Sequence, residues 1–170
     1  MADEIRTARL LLRRATVDDA PALHLLYSDP EVMAYSSRLP NDSLEQTREF
    51  LAKTIASCEN GEGDDFVVLH EGVVIGKAGL WRTNEIGFQF ARVVWGRGFA
   101  RETVGAILDR AFARGVALVM ADVDPRNARS LSLLAKLGFV KTGEAKNTFQ
   151  IGDLWVDSVY LERTAPRSGA

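Results

Sequence analysis

Two glycines, two arginines and a helix start fall together at Trp95-Gly96-Arg97-Gly98-Phe99-Ala100-Arg101. An apolar run, Ile86 to Val94, leads in, and a run of helical period, Phe99 to Arg114, leads out. A strand therefore feeds a tight turn, and the turn feeds a helix N-terminus. Gly96 and Gly98 lack a Cβ, so the backbone can bend sharply and a ligand can come close. The first N–H groups of a helix have no partner inside it, and the helix dipole favours an anion in front of them. Arg97 and Arg101 add positive charge. This is the chemistry of a phosphate cradle, although a Gly-x-Gly before a helix also serves as a plain turn. It is not a P-loop, because no Gly-Lys-Ser/Thr follows. It is not the dinucleotide fingerprint either, because the third glycine is missing and the turn lies mid-chain.

A second group of polar residues lies downstream. Asn127 follows Asp124-Pro125 and suits a helix N-cap. Ser130, one turn on, can share its face. Two carboxylates stand near apolar runs. Glu85 opens the strand before the glycine turn. Asp122 sits inside Val116 to Val123, where a polar side chain is unusual and needs a partner. His24 and His70 fall on an early helix and a hairpin turn, where surface roles are expected. Cys58 falls on the apolar side of a helix, where a buried thiol is expected.

The first block, Trp95-x-x-Gly98-x-Ala100, resembles the Arg/Gln-x-x-Gly-x-Gly/Ala signature of the GNAT superfamily of N-acetyltransferases, which use acetyl-coenzyme A. Trp stands where Arg or Gln is more usual, as it does in the branch that acetylates ribosomal-protein N-termini. The second block, Asn127-Ala-Arg-Ser130 through Lys136-Leu-Gly-Phe139, is similar to the family's next motif. The likeness runs from Thr7 to about Glu162. It implies an acetyl-CoA site between the strand ending near Ala91 and the strand Val116 to Val123, which a bulge splays apart. The backbone of Phe88, Gln89 and Phe90 would pair with the pantetheine arm. Gly96, Arg97, Gly98, Phe99, Ala100 and Arg101 would hold the pyrophosphate. Phe88 and Phe90 also read simply as core.

Acetyl transfer to an amine needs a neutral amine, a stabilised oxyanion and a thiolate that is protonated or held until it is. The resemblance gives Asn127 a second role as a pantetheine contact and makes Ser130 a candidate proton donor to the thiolate. A solvated first-turn serine is the other reading of Ser130. Many family members carry a Tyr acid seven residues after the Asn, and this chain has Leu134 there. By the resemblance, other family members use a carboxylate on the strand that Glu85 begins, and Asp122 matches a position, five before the Asn, where some relatives carry a catalytic Glu, though either can be structural and water can take the proton. The acceptor is expected to be a primary amine, on a protein N-terminus or a small molecule, attacking directly in a ternary complex. A non-catalytic acyl-CoA-binding sensor is the alternative.

Composition narrows the field further. The chain has 170 residues, 46% hydrophobic and 26% charged, with a net charge of −2. One domain spanning residues 1–170 is expected, with its core at about 7–162 and a frayed tail at 163–170. No basic stripe recruits nucleic acid and no apolar run reaches membrane-spanning length. No Cys/His cluster has metal-ligand spacing, so no metal is expected. A single cysteine and a start without a basic and apolar leader fit a cytoplasmic protein. A homodimer is compatible with the sequence.

The elements that must position these residues follow from periodicity. Arg9 to Arg14 reads as a strand. Thr16 caps a helix through Tyr27, which Asp29-Pro30 stops. Met33 to Pro40 is irregular and, by the resemblance, borders the acceptor pocket, with Tyr35 lining it. Ser43-Leu-Glu-Gln46 is a capping box for a helix that ends at Asn60-Gly61. Gly61 to Asp65 reads as a polar loop. Strands follow at Phe66 to Leu69, Val73 to Trp81 and Glu85 to Ala91, after a turn at 82–84. Then come the helix Phe99 to Arg114 and the strand Val116 to Val123, apolar enough to be covered on both faces. A helix ended by Gly138 and strands Phe139 to Thr148 and Leu154 to Glu162 complete the chain. Asp153 and Asp157 flank Trp155 in that last hairpin, where a cationic acceptor or plain solvent would suit them. The expected fold is α/β (α+β): a mixed, mostly antiparallel seven-stranded sheet flanked by about four helices, with splayed central strands.

Overall fold

The computed structural model describes residues 4–82 and 84–166. Thr83, in the expected turn, and the end of the expected tail, 167–170, lie outside the described residues. The strands are β1 (Glu4–Arg6), β2 (Leu10–Arg13), β3 (Gly63–His70), β4 (Val73–Trp81), β5 (Glu85–Phe90), β6 (Leu118–Val123), β7 (Val140–Ile151) and β8 (Leu154–Thr164). The helices are α1 (Ala20–Tyr27), α2 (Leu44–Glu59), α3 (Phe99–Ala113) and α4 (Ala128–Lys136). All eight strands form one sheet in the order β1-β2-β3-β4-β5-β6-β8-β7. Every neighbouring pair is antiparallel except β5 and β6.

The sheet separates two cores. Strand residues alternate between faces. Val68, Ile86, Phe90, Val119 and Ala121 pack with Val104, Ile107 and Leu108 of α3 and Leu134 of α4. Val67 and Leu69 pack on the other face with Leu23 and Leu26 of α1 and Leu51 of α2. Capping holds the helix ends. Ser43 Oγ accepts from the Gln46 N–H, while the Gln46 side chain reaches one residue further back, to the Asp42 N–H at 2.7 Å.

Four expectations are corrected. The sheet has eight strands rather than seven, because Glu4–Arg6 adds an edge against β2. The polar loop expected at Gly61 to Asp65 is half strand: Gly63, Asp64 and Asp65 pair with Trp81, Leu80 and Gly79. Their charge is tolerated because Asp64 accepts from Arg14 at 2.5 Å and Arg110 at 2.8 Å, and Lys77 pairs with Asp65. The frayed tail starts later than Arg163, since Arg163 and Thr164 pair with Val119 and Leu118 in β6 and the Ala165 N–H donates to Ala117. Strand β6 is buried on one face only, because its other face, with exposed Asp122, is not covered by a helix layer.

The Asp64 network predicts acid lability. Burial opposes ionisation of Asp64, but hydrogen bonds from Arg110 and Arg14 outweigh it and hold the carboxyl below its ordinary range. A carboxyl lowered in the folded state stabilises fully above its unfolded pKa, and loses that contribution as pH falls through the folded value. The thermal midpoint should therefore fall on acidification below about pH 4. Asp64→Asn should be less stable at neutral pH and should titrate less steeply. An unchanged acid dependence of melting in Asp64→Asn would remove this carboxylate from the acid-labile set.

Candidate active site

Strands β5 and β6 share one register position, Glu85 with Met120, next to a hydrogen bond from the Met120 N–H to the Asn84 carbonyl at 2.8 Å. Beyond it they part. Strand β5 stays paired with β4 along its whole length, and β6 with β8. The β4–β5 register has no shift, so the parting occurs without the bulge expected there.

The backbone facing the gap can be assigned. The Ala91 N–H donates to Ile75 in the line of the β4–β5 ladder. Antiparallel pairing alternates, so Glu85, Gly87 and Gln89 turn their backbone groups to β4, whereas Ile86, Phe88 and Phe90 turn theirs to β6. By the same rule the Met120 bond makes Asp122 turn its backbone towards β5. Phe88, Phe90 and Asp122 therefore present backbone to the cleft. Gln89 does not, and its side chain instead lies by Ser36 Oγ at 3.4 Å and Met33 Sδ at 4.0 Å. The Phe90 carbonyl accepts from the Trp95 indole N–H at 2.8 Å.

The cleft leads to the glycine turn. Gly96 and Gly98 have φ of 74° and 80°, a left-handed backbone that L side chains avoid. Gly98 is the N-cap of α3, and Gly96, Arg97, Gly98 and Arg101 are exposed, so the first N–H groups of α3 open outward. Phe99 is buried beneath them, with the guanidinium carbons of Arg9 and Arg97 4.4 and 4.9 Å from its ring centre and the His70 ring tilted at 45° against it, 4.6 Å between centres. Glu102 in the first turn would repel an anion. Its carboxylate is instead taken up by Thr7 Oγ1 at 2.5 Å, the Arg9 N–H at 2.9 Å and Arg9 Nε at 2.7 Å. These bonds outweigh the effect of burial and hold Glu102 below its ordinary pKa. Sequence reasoning missed Thr7, Arg9 and Glu102 as a unit, since some 90 residues separate the partners. A groove of about 570 Å³ runs along this side of α3, from Thr7, Arg9 and Arg101 to Leu137.

The remaining candidates divide between the two faces. Asn127 caps α4, its Oδ1 accepting from the Ser130 N–H at 3.1 Å, and Ser130 lies half-buried in the first turn. Helix α4 is on the α3 side of the sheet. Glu85 and Asp122 lie on the opposite side. Strand neighbours Ile86, Val119, Ala121 and Val123 point into the α3–α4 core, so Glu85 and Asp122 point away from it. Asp122 is exposed, which corrects the expectation that it needs a partner. Segment 28–43 borders this second face through Met33 and Ser36. Tyr35 is half-exposed there, with Arg126 near its ring at 5.8 Å. Arg126 is fixed by Asp124, its Nη2 donating at 2.5 Å. His24 is part-buried against Thr47 Oγ1 at 2.8 Å, not free on the surface. Among the described residues no group of three His, Cys, Asp or Glu side chains could hold a metal ion, and no helix is long and apolar enough to cross a membrane.

The family model for the acetyltransferase (GNAT) domain matches residues 9–140. The chain belongs to the GNAT acetyltransferase family. It is an acetyl-CoA-dependent N-acetyltransferase. An uncharacterized N-acetyltransferase, p20 of Bacillus licheniformis, is 32% identical over 150 residues, which is 83% of this chain and 84% of that protein. Spermidine N-acetyltransferase of Vibrio cholerae, solved with CoA and spermine, superposes with a TM-score of 0.82 at 23% identity, covering 94% and 97% of the two chains. Ribosomal-protein-S5-alanine acetyltransferase of Vibrio fischeri gives 0.81 at 22% identity, covering 98% and 99%. These last two likenesses establish the fold of this acetyltransferase.

Gly98 and Asn127 are the positions whose backbone roles are clearest. A Cβ at Gly98 would meet Arg9 Nη2 at 3.4 Å and would need a left-handed φ. Gly98→Val should therefore weaken acetyl-CoA binding at least tenfold, about 1.4 kcal/mol. Unchanged affinity by calorimetry in the folded variant would sink the cradle. Asn127→Ala should lower stability by about 1 kcal/mol through the lost cap and should also weaken acetyl-CoA binding. A fall in melting temperature with intact affinity would leave Asn127 as a cap alone.

Proposed function

We propose that this acetyltransferase transfers an acetyl group to a primary amine by direct attack in a ternary complex, with its two substrates meeting through the cleft from opposite faces of the sheet. The observation that carries this reading is the parting of β5 and β6 after Glu85 and Met120. It opens the backbone of Phe88, Phe90 and Asp122 immediately before the cradle, and the cleft passes through the sheet. On the α3–α4 side, Gly96, Arg97, Gly98, Phe99, Ala100 and Arg101 hold the pyrophosphate, and Asn127 contacts the pantetheine. Bound acetyl-CoA supplies an activated acetyl thioester.

The proton work divides by face. Glu85 is half-buried, and its carboxylate has no hydrogen-bond or ion-pair partner among the described residues. It stands on the side of segment 28–43, where the amine enters, and takes the amine proton directly or through water. Asp122, on the same face and more exposed, is the second carboxylate available. Ser130 lies on the cofactor side, where the thiolate leaves, and Leu134 is buried in the core, so no side chain at that position replaces it. The acceptor is a protein N-terminus or a small-molecule amine. Coenzyme A release in a library of amines and N-terminal peptides tests the reading, and no release with any acceptor, despite tight acetyl-CoA binding, would overturn it.

Two variants then separate the proton roles. Glu85→Gln should lower turnover by roughly 10²-fold at neutral pH if proton removal limits the rate, with acetyl-CoA affinity intact. Ser130→Ala should lower turnover less, because a thiolate is already a fair leaving group. Equal turnover for Ser130→Ala and wild type would assign that proton to water.

A further inference from the structure

Trp95 and Arg129 meet across the mouth of the cleft. Trp95 ends the connection from β5 to the glycine turn. Its indole N–H donates to the Phe90 carbonyl, which by strand alternation faces β6 rather than β4. That bond fixes the ring over the end of the β5 edge, where the cleft opens towards Gly96. Arg129 comes from the other bank, in the first turn of α4 between Asn127 and Ser130. Its guanidinium carbon lies 4.6 Å from the centre of the Trp95 ring.

The charge on Arg129 is uncompensated. The side chain is exposed, and among the described residues it has no carboxylate partner. Among the described residues Arg97 and Arg101 of the cradle are likewise without a carboxylate partner, whereas the other arginines around the site are paired. Arg9 is held by Glu102, Arg92 by Asp29 and Glu31, and Arg126 by Asp124. The Trp95 ring is part-buried against the core, and a cation over an aromatic face is held by the ring quadrupole without losing its charge, so the contact orients the group more than it neutralises it. A guanidinium stacked on an aromatic face keeps its N–H edge free, and that edge matches a pair of phosphate oxygens.

We infer that Arg129, oriented by the Trp95 ring, is a diphosphate-binding residue that closes the cradle from the α4 side. A ligand that runs from the cleft to the N-terminus of α3 must pass this pair. Arg97 and Arg101 stand on the α3 bank, and Arg129 supplies the charge on the opposite bank. The N–H groups of α3 then face one side of the diphosphate, and the guanidinium faces the other. Trp95 is a positioning residue: it touches the strand end and the arginine, and it sets where the charge stands. The inference rests on the diphosphate lying at Gly96 to Arg101.

The test compares three ligands in wild type, Arg129→Gln and Arg129→Lys. Coenzyme A and 3′-dephospho-coenzyme A share the diphosphate and differ in the ribose phosphate. Pantetheine lacks both. Gln keeps a planar group over the ring without charge, and Lys keeps the charge without the planar edge. Arg129→Gln should bind coenzyme A and its dephospho form each about tenfold more weakly, with pantetheine affinity unchanged. Arg129→Lys should recover part of the loss. Trp95→Leu should reproduce the same selective pattern, since it frees the arginine. Unchanged coenzyme A affinity in Arg129→Gln would overturn the inference. So would a loss confined to coenzyme A, which would move Arg129 to the ribose phosphate, or an equal loss for all three ligands, which would make it a packing residue. Failure of the cradle itself is seen separately, as a folded Gly98→Val protein that binds coenzyme A normally while Arg129→Gln does not.

Discussion

Two parallel strands that touch once and then separate set the terms for everything else in this protein. Each keeps its outer neighbour, β4 for β5 and β8 for β6, so neither strand can drift. The inner edges remain without a ladder, and an unpaired backbone group removed from water costs about 1–3 kcal/mol. The fold limits this by letting the cleft open to solvent and by closing one end of it with the Trp95 indole on the Phe90 carbonyl. What remains is a short row of donors and acceptors, ready for an extended ligand that can hydrogen-bond like a strand. The amide-bearing pantetheine arm has that form.

The same parting gives the protein two working faces. A continuous sheet would keep the α1–α2 side and the α3–α4 side apart. Because the cleft pierces it, groups on opposite faces can act on one reaction centre. Glu85 and Asp122 stand on one side, Ser130 and Asn127 on the other. In the proposed mechanism, a proton taken from the amine and a proton given to the thiolate would therefore travel on different sides of the sheet. Segment 28–43 ties the two sites together. Its Asp29 and Glu31 grip Arg92 at 2.8 and 2.7 Å, three residues before Trp95, while Met33 and Ser36 meet Gln89.

The glycine turn and the α4 cap, which the proposal gives to the cofactor, were the more legible in the sequence, for a physical reason. They are built from backbone: a glycine that must take a left-handed φ, an N-cap that must accept a hydrogen bond, a helix start that must follow a turn. Such demands restrict residue type locally, so Gly98 and Asn127 announce themselves. The order of elements was legible for the same reason, because periodicity and caps are local. The short edge strand Glu4–Arg6 was not, since three residues carry no period. Nor was the strand character of Gly63, Asp64 and Asp65, whose charges become acceptable only once Arg14, Arg110 and Lys77 arrive from distant segments. Asp122 misled in the opposite direction. An apolar stretch implied two covered faces, and the uncovered one appears only when the sheet is assembled.

The face proposed to meet the acceptor is hard to read because no backbone rule governs it. Its surface is contributed by segment 28–43, β5, β6 and the β6–α4 turn, and it is made of side chains that pack or ionise according to their neighbours. Tyr35 illustrates this: its half-exposed ring gains meaning from Arg126, and Arg126 is aimed by Asp124. A substitution at Tyr35 would reshape this face without disturbing a cap, a turn or a ladder, whereas Asp124 also holds the turn before α4 through the Arg126 N–H. Acceptor choice can therefore change while the cleft and cradle stay fixed. The geometry favours that separation, since the parting acts on the backbone of β5 and β6, and the side chains proposed to meet the amine hang from that backbone on the other face.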